Sequence, residues 1–327
     1  MKVLVYGFRE DETQELAKAA ADRGIETVTI RENLNRQNVE EAAGFTSIAI
    51  NAGSLMDRQN LERLTQLGVK YIATRSIGFD NIDLDACREL GLKVANVRYS
   101  AHSVADYAVL LMLMLTRRMR EILRRGDVQD YGYLGYQGLE MHNLTVGVVG
   151  TGRIGRTVIE DLSGFGCKIL GYDLYPNDAL RDKVEYLPLD DLLARSDIIT
   201  LHAPLQDSSY HMINAESIAK MKDGAMLINT ARGQLVDTAA LIDGIESGKI
   251  GGAALDVIEG EKAYTFADHR AQVIKCRDRA VLESFPNVIL TGHYAFYTNQ
   301  AVEDMVTIAL DALIQFEQTG KADSEIV

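Results

Sequence analysis

Gly150-Thr151-Gly152-Arg153-Ile154-Gly155 has the spacing of a phosphate-cradling turn, G-x-G-x-x-G. The first glycine permits a tight turn, the second admits a pyrophosphate close to the backbone, and the third lets helix and strand pack closely. Free N–H groups at the helix start then hold the phosphates. Glycine-rich sextets also occur by chance, so the flanks decide. Residues 145–149 are an apolar, strand-like run, and residues 154–165 carry a helical pattern. The next strand-like run, residues 168–172, leads into Asp173, close to the ~20 residues downstream at which a ribose-binding acid is found. A carboxylate there accepts from both ribose hydroxyls and repels a 2′-phosphate, so NAD is expected over NADP. Strand, glycines, helix and acid together outweigh the plainer reading of an ordinary strand–helix turn.

Hydride chemistry at a carbonyl also needs a proton source and a cationic clamp. Histidine titrates nearest neutrality, and six are available: His102, His142, His202, His211, His269 and His293. His293 follows the apolar run 288–290 and His202 follows the run 198–201. Ligands of open parallel sheets collect outside the carboxyl ends of strands, so both are well placed and position alone does not choose between them. Arg232 follows the run 225–229, and a guanidinium grips a carboxylate with two parallel bonds. Asp256, Glu259 and Glu261 follow the run 252–255. A carboxylate beside a histidine fixes its tautomer and favours its protonated form. Each residue alone is more simply a strand-end polar group with a local bond. Three complementary charges at successive strand ends are harder to dismiss.

The elements that must position these residues follow a βαβ rhythm. Strands are expected at residues 3–6, 27–30, 47–50, 71–74 and 93–96, with helices between them at 11–23, 57–67 and 83–90. A second strand series runs through 145–149, 168–172, 198–201, 225–229, 252–255 and 288–290. Many of these are apolar throughout, as strands buried on both faces are. The pattern implies α/β architecture with parallel sheets, and two series in 327 residues favour two domains. Between them a helix is expected over about 102–125, whose basic end (Arg117, Arg118, Arg120) suits the negative end of a helix. A Tyr- and Gly-rich segment follows, suited to a loop or an arm packing on a neighbour, and a final helix is expected over 298–318.

Hydrophobic residues make up 47% and charged residues 25%, as in soluble globular proteins. Net charge is -13 with no basic run, which argues against nucleic acid. The N-terminal apolar run is short and is followed by Arg9, Glu10, Asp11 and Glu12, so it reads as a strand, not a targeting segment. The most apolar stretch, residues 107–115, is about half the ~20 residues that span a bilayer. Cys87, Cys167 and Cys276 are scattered without C-x-x-C spacing, so no metal is expected and a reducing cytoplasm fits.

At this point the sequence resembles the D-isomer-specific 2-hydroxyacid dehydrogenase family. The motifs that carry the resemblance are residues 148–155 with the glycine sextet, His202-Ala203-Pro204-Leu205, Asn229-Thr230-Ala231-Arg232-Gly233, Gly252-Ala253-Ala254-Leu255-Asp256-Val257 and Thr291-Gly292-His293. The resemblance implies two doubly wound parallel-sheet domains separated by a cleft. Residues 1–100 and 297–327 would form a flavodoxin-like substrate domain, and residues 101–296 a Rossmann NAD-binding domain. It implies His293 as acid/base, Glu261 as its carboxylate partner and Arg232 as the substrate clamp. His202 then lines the cofactor pocket, with Gly150, Gly152, Arg153, Ile154, Gly155, Asp173, Ala203, Pro204, Ser209, Thr230, Ala231 and Asp256. The backbone near Ile77 and Gly78 would hold the substrate carboxylate, with Tyr99, Tyr294 and Phe296 around the substrate. The helix after His102 is the family's dimer element, so a homodimer is implied. Gly292 stands where the family usually has proline, and Tyr294 where a small residue is common. Ala101, His102 and Arg98 also depart from the usual pattern. These positions bear on side-chain preference.

The branch most resembled contains D-lactate dehydrogenases, D-2-hydroxyisocaproate and aryl-lactate dehydrogenases, and the vancomycin-resistance D-lactate dehydrogenase. The expected reaction is NADH-dependent reduction of a 2-oxo acid to the D-2-hydroxy acid, with pyruvate and bulkier branched or aromatic acids as candidates. Alternatives on the same fold are a hydroxypyruvate or glyoxylate reductase and a non-enzymatic NAD-sensing regulator.

Overall fold

Short aliphatic and β-branched runs form strands here because helices cover both faces of the sheets they enter. The structure, a computed structural model, describes residues 1–327. The chain divides into two units, Met1–Ser100 with Tyr297–Val327, and Ala101–Phe296.

The first unit holds β1 (Lys2–Tyr6), β2 (Glu26–Ile30), β3 (Ser47–Ile50), β4 (Tyr71–Thr74) and β5 (Lys93–Ala95). All pairings are parallel, in the order β2-β1-β3-β4-β5, which is the flavodoxin-like order. Leu4, Tyr6, Ile48, Ile50, Ile72 and Val94 share a core with Leu61 and Leu64 of the helix Arg58–Gln66. The helix Asn299–Thr319, capped by the Thr298 side chain on the Ala301 amide, brings Phe316 to stack on Tyr71 at 5.4 Å. At the carboxyl end of β4, buried Arg75 pairs with buried Glu12 and donates to the carbonyls of Tyr6 (2.7 Å) and Gly7 (2.9 Å). One guanidinium therefore ties the ends of β1 and β4 together.

The second unit holds β6 (Thr145–Val149), β7 (Lys168–Tyr172), β8 (Glu185–Tyr186), β9 (Ile198–Leu201), β10 (Ala225–Asn229), β11 (Ile250–Leu255) and β12 (Val288–Leu290). The order is β12-β11-β10-β9-β6-β7-β8, all parallel. Counted from β6, this is the 3-2-1-4-5-6 winding of dinucleotide folds, extended by β12. Val149, Ile199 and Leu201 face one core while Val146, Val148 and Ile198 face the other. Two apolar faces explain strands without polar alternation.

Several boundaries differ from expectation. The helix expected over 102–125 is two helices, His102–Thr116 and Met119–Gly126. Thr116 Oγ1 bonds back to the Met112 carbonyl at 3.0 Å, and Arg118 turns left-handed at φ 51°. Arg120 does not serve the first helix's end; it donates to the carbonyls of Glu283 and Phe285 (both 2.6 Å) beside β12. Specific carbonyls outcompete a diffuse helix-end field. The N-terminal helix begins at Thr13 after a 3-10 turn, Glu10–Glu12, because Glu12 bends back to the Arg9 amide. β8, only two residues long, has no readable period. Beyond Gly126 the Tyr- and Gly-rich arm leaves Tyr131, Tyr133 and Leu134 exposed. No helix is long and apolar enough to cross a membrane.

Candidate active site

β6 is followed by Gly150 at φ 89°, where a Cβ would lie 2.7 Å from the His202 carbonyl carbon and the Ala203 nitrogen. At Gly155 a Cβ would overlap the Gly150 carbonyl, whereas at Gly152 it would meet nothing within 4 Å. The outer glycines thus serve tight packing and the middle one leaves space before the helix Arg153–Ser163. Asp173, past the end of β7, accepts from the Thr151 amide (2.7 Å), Thr151 Oγ1 (3.2 Å) and the Tyr175 amide (2.9 Å). Tyr186 on β8 in turn donates to Thr151 Oγ1 at 2.8 Å. Ser209 closes the turn after Pro204 by donating to its carbonyl at 2.7 Å. The Thr230 hydroxyl, beyond β10, is buried without a partner. An open cradle at a helix start, a held carboxylate and an unmet buried hydroxyl together fit a dinucleotide.

Asn229, buried at the end of β10, accepts from the Ala231 amide (3.0 Å) and donates to the Arg232 carbonyl (2.9 Å). It shapes the turn that presents Arg232, whose guanidinium also donates to the Ala231 carbonyl at 2.7 Å. Gly233 lies so close to the Ile258–Glu259 peptide that a Cβ would sit 2.2 Å from Ile258 C. The Arg232 turn is therefore packed on the loop that carries Glu261.

That loop, residues 256–261, distributes its three acids to three different tasks. Asp256, buried, accepts from Thr291 Oγ1 (2.5 Å), the Tyr294 amide (2.8 Å) and the Ala295 amide (2.8 Å), and its carbonyl accepts the His293 amide (2.8 Å). His293 has φ 62°, a conformation costing about 1–3 kcal/mol for a non-glycine residue. Bonds to a charged acceptor contribute roughly 1.5–3 kcal/mol each, enough together to hold it. Glu259 accepts from His211 Nε2 (2.7 Å), the Thr238 amide (3.1 Å) and Thr238 Oγ1 (2.9 Å). Glu261 alone meets His293, Oε1 to Nδ1 at 2.8 Å, while its Oε2 accepts the Ile258 amide at 3.1 Å.

The two strand-end histidines now separate. His202 Nε2 contacts Thr200 Oγ1 at 2.9 Å, and desolvation of the ring pushes its pKa down to about 4, so it is neutral near pH 7. His293 turns Nδ1 to Glu261, which leaves Nε2 as the ring nitrogen that could meet a ligand. Phe296 lies edge-on to His293 with ring centres 6.0 Å apart. Tyr294 is exposed, with its ring against Gly292, where a Cβ would be 3.0 Å away; the two departures from the family pattern touch each other. Ile77, Gly78 and Tyr99 belong to the first unit, where Tyr99 is buried. Asn96 Nδ2 holds the Ile77 carbonyl (2.8 Å), and Ser76 Oγ the Gly78 carbonyl (2.7 Å). Sequence reasoning missed Asn229 as the organiser of the Arg232 turn and Phe266, whose ring lies 5.5 Å from His293. Asn229 had a signal, being the last residue of an apolar strand. Phe266 had none, since it lies in an irregular segment.

The family model described as D-isomer specific 2-hydroxyacid dehydrogenase, NAD binding domain, matches residues 109–295. The chain belongs to that family. This dehydrogenase takes NAD as its cofactor. It is 44% identical to an aromatic 2-oxoacid reductase of Clostridium sporogenes, over 100% of this chain and 99% of the relative. It is 41% identical to a D-specific alpha-keto acid dehydrogenase of Enterococcus faecium, over 97% of each. Among solved structures, a D-2-hydroxyisocaproate dehydrogenase superposes with a TM-score of 0.91 at 35% identity, over 100% of this chain and 99% of the other.

Proposed function

We propose that this dehydrogenase reduces 2-oxo acids, pyruvate and bulkier analogues alike, to D-2-hydroxy acids, with His293 as proton donor. The observation that carries the assignment is the 2.8 Å contact between His293 Nδ1 and Glu261. Bound NADH supplies the hydride that adds to C2 of the acid. The remaining work falls to the chain's side chains. Glu261 fixes the orientation of the His293 ring through Nδ1, so that Nε2 donates to the oxygen as negative charge develops there. Arg232, always charged, pairs with the substrate carboxylate. The backbone at Ile77 and Gly78 is assigned to the same carboxylate, and Tyr99, Tyr294 and Phe296 to the substrate's surroundings. Gly150, Gly152, Arg153, Ile154 and Gly155 are assigned to the pyrophosphate and Asp173 to the adenosine ribose. His202, Ala203, Pro204, Ser209, Thr230, Ala231 and Asp256 complete the cofactor pocket. The names of the Clostridium and isocaproate relatives support acids larger than pyruvate. We also infer a homodimer formed through the helix after His102, and residence in the cytoplasm, supported by three free thiols.

The test is His293→Asn, followed by NADH oxidation with pyruvate, 2-oxoisocaproate and phenylpyruvate and by NADH binding. Turnover is expected to fall by roughly 10²–10⁴ while NADH affinity stays the same. Parallel loss of NADH binding would make His293 structural. A wild-type protein that binds NADH but turns over none of the three would instead be a regulator.

A further inference from the structure

Phe266 is a large apolar side chain that the fold leaves 68% exposed, and its backbone adopts φ 62°. A bulky residue in the left-handed region is a conformational outlier, and such outliers concentrate where a side chain must be aimed. What aims it is visible in the residues before it. Glu261, while its carboxylate holds His293, accepts at its carbonyl the amides of Tyr264 (3.0 Å) and Thr265 (2.9 Å) and the Thr265 hydroxyl (3.0 Å). Tyr264 packs against the core of the second unit, and Arg279 sits 5.2 Å over its ring. The segment is thus anchored inward at Tyr264 and turns at Phe266, bringing that ring to the acid/base. Phe266 lies 5.5 Å from the His293 ring and 6.2 Å from Phe296, which itself lies 6.0 Å from His293. Two phenyl rings and the proton-donating imidazole form one triangle.

We propose that Phe266 is a specificity-determining residue that selects 2-oxo acids with an aromatic side chain. This rests on His293 being the proton donor. A substrate that brings its C2 oxygen to His293 carries its side chain on the same carbon, one bond from the reacting oxygen's attachment. Carbons beyond C3 then come within reach of the Phe266 and Phe296 rings. An aromatic group there replaces water over the exposed Phe266 face and makes tilted or offset ring contacts. The methyl group of pyruvate is too short to cover that face. The contribution of Phe266 therefore grows with the size of the substrate side chain, which distinguishes it from a residue that merely shields the imidazole.

The experiment measures kcat/KM for phenylpyruvate, 2-oxoisocaproate and pyruvate with wild type, Phe266→Ala and Phe266→Leu, with NADH affinity alongside. Phe266→Ala is expected to lower kcat/KM for phenylpyruvate roughly tenfold to a hundredfold, chiefly through KM. Pyruvate is expected to change by no more than about threefold, the signature of uniform binding removed only from the larger substrate. Phe266→Leu, which keeps an apolar side chain, should restore 2-oxoisocaproate more than phenylpyruvate. An equal loss with all three acids would make Phe266 a shield of His293 and overturn the proposal, as would no change with any. A wild type inert towards all three would bring down the proton-donor reading itself, and this one with it.

Discussion

At the scale of single residues, the division of labour between His202 and His293 rests on what each ring touches. Thr200 offers His202 a hydroxyl and no compensating charge, so the neutral form wins. The folded-state pKa of about 4 lies below the ordinary 6.5. Between these values the unfolded chain binds more protons than the folded one, so stability rises with pH across the window. The stabilisation is complete above about 6.5 and is lost as pH falls towards 4. Urea unfolding of the cofactor-free protein at pH 7, 6 and 5 should show it. Wild type is expected to lose about 2 kcal/mol more than His202→Gln over that range. Parallel stability curves for the two proteins would show that the ring is not desolvated.

At the scale of elements, three loops at the carboxyl ends of β10, β11 and β12 form one assembly. Asp256 is its centre, since it fixes both the start of its own loop and the left-handed turn at His293. Asp256→Asn keeps the volume but replaces one acceptor oxygen by a donor facing a backbone N–H. Breaking part of a buried, charged network costs about 2–4 kcal/mol. The expected result is a lower unfolding midpoint together with a fall in kcat, because the imidazole loses its fixed approach to Glu261. An unchanged kcat in a folded variant would show that His293 holds its conformation without Asp256.

At the scale of the molecule, each unit carries its own sheet and its own buried core. Stability should therefore be separable. Glu12→Gln removes the charge paired with buried Arg75 in the first unit, and leaving such a cation unpaired costs roughly 3–5 kcal/mol. Calorimetry should show the first unit melting earlier, while NADH affinity, assigned to the second unit, persists. Loss of NADH binding at a temperature where the second unit is folded would contradict that independence.

Much of this was legible in the chain itself. The glycine sextet between an apolar strand and a helix predicts a tight turn into a helix because its requirements are local: a turn, a close approach and a helix start within a few residues. Parallel α/β winding was legible because fully apolar strands alternating with amphipathic helices leave few other ways to cover both faces. The partners of Arg120 were not, since they are carbonyls of residues 283 and 285 far along the chain. Nor could spacing say which of Asp256, Glu259 and Glu261 meets which histidine. All three lie within six residues, and their partners at 211, 238 and 291–295 are brought to them only when β10, β11 and β12 are laid side by side. Local sequence determined the elements and the glycine turn, and long-range contacts decided the pairings, because a hydrogen bond reads distance in space and not separation along the chain.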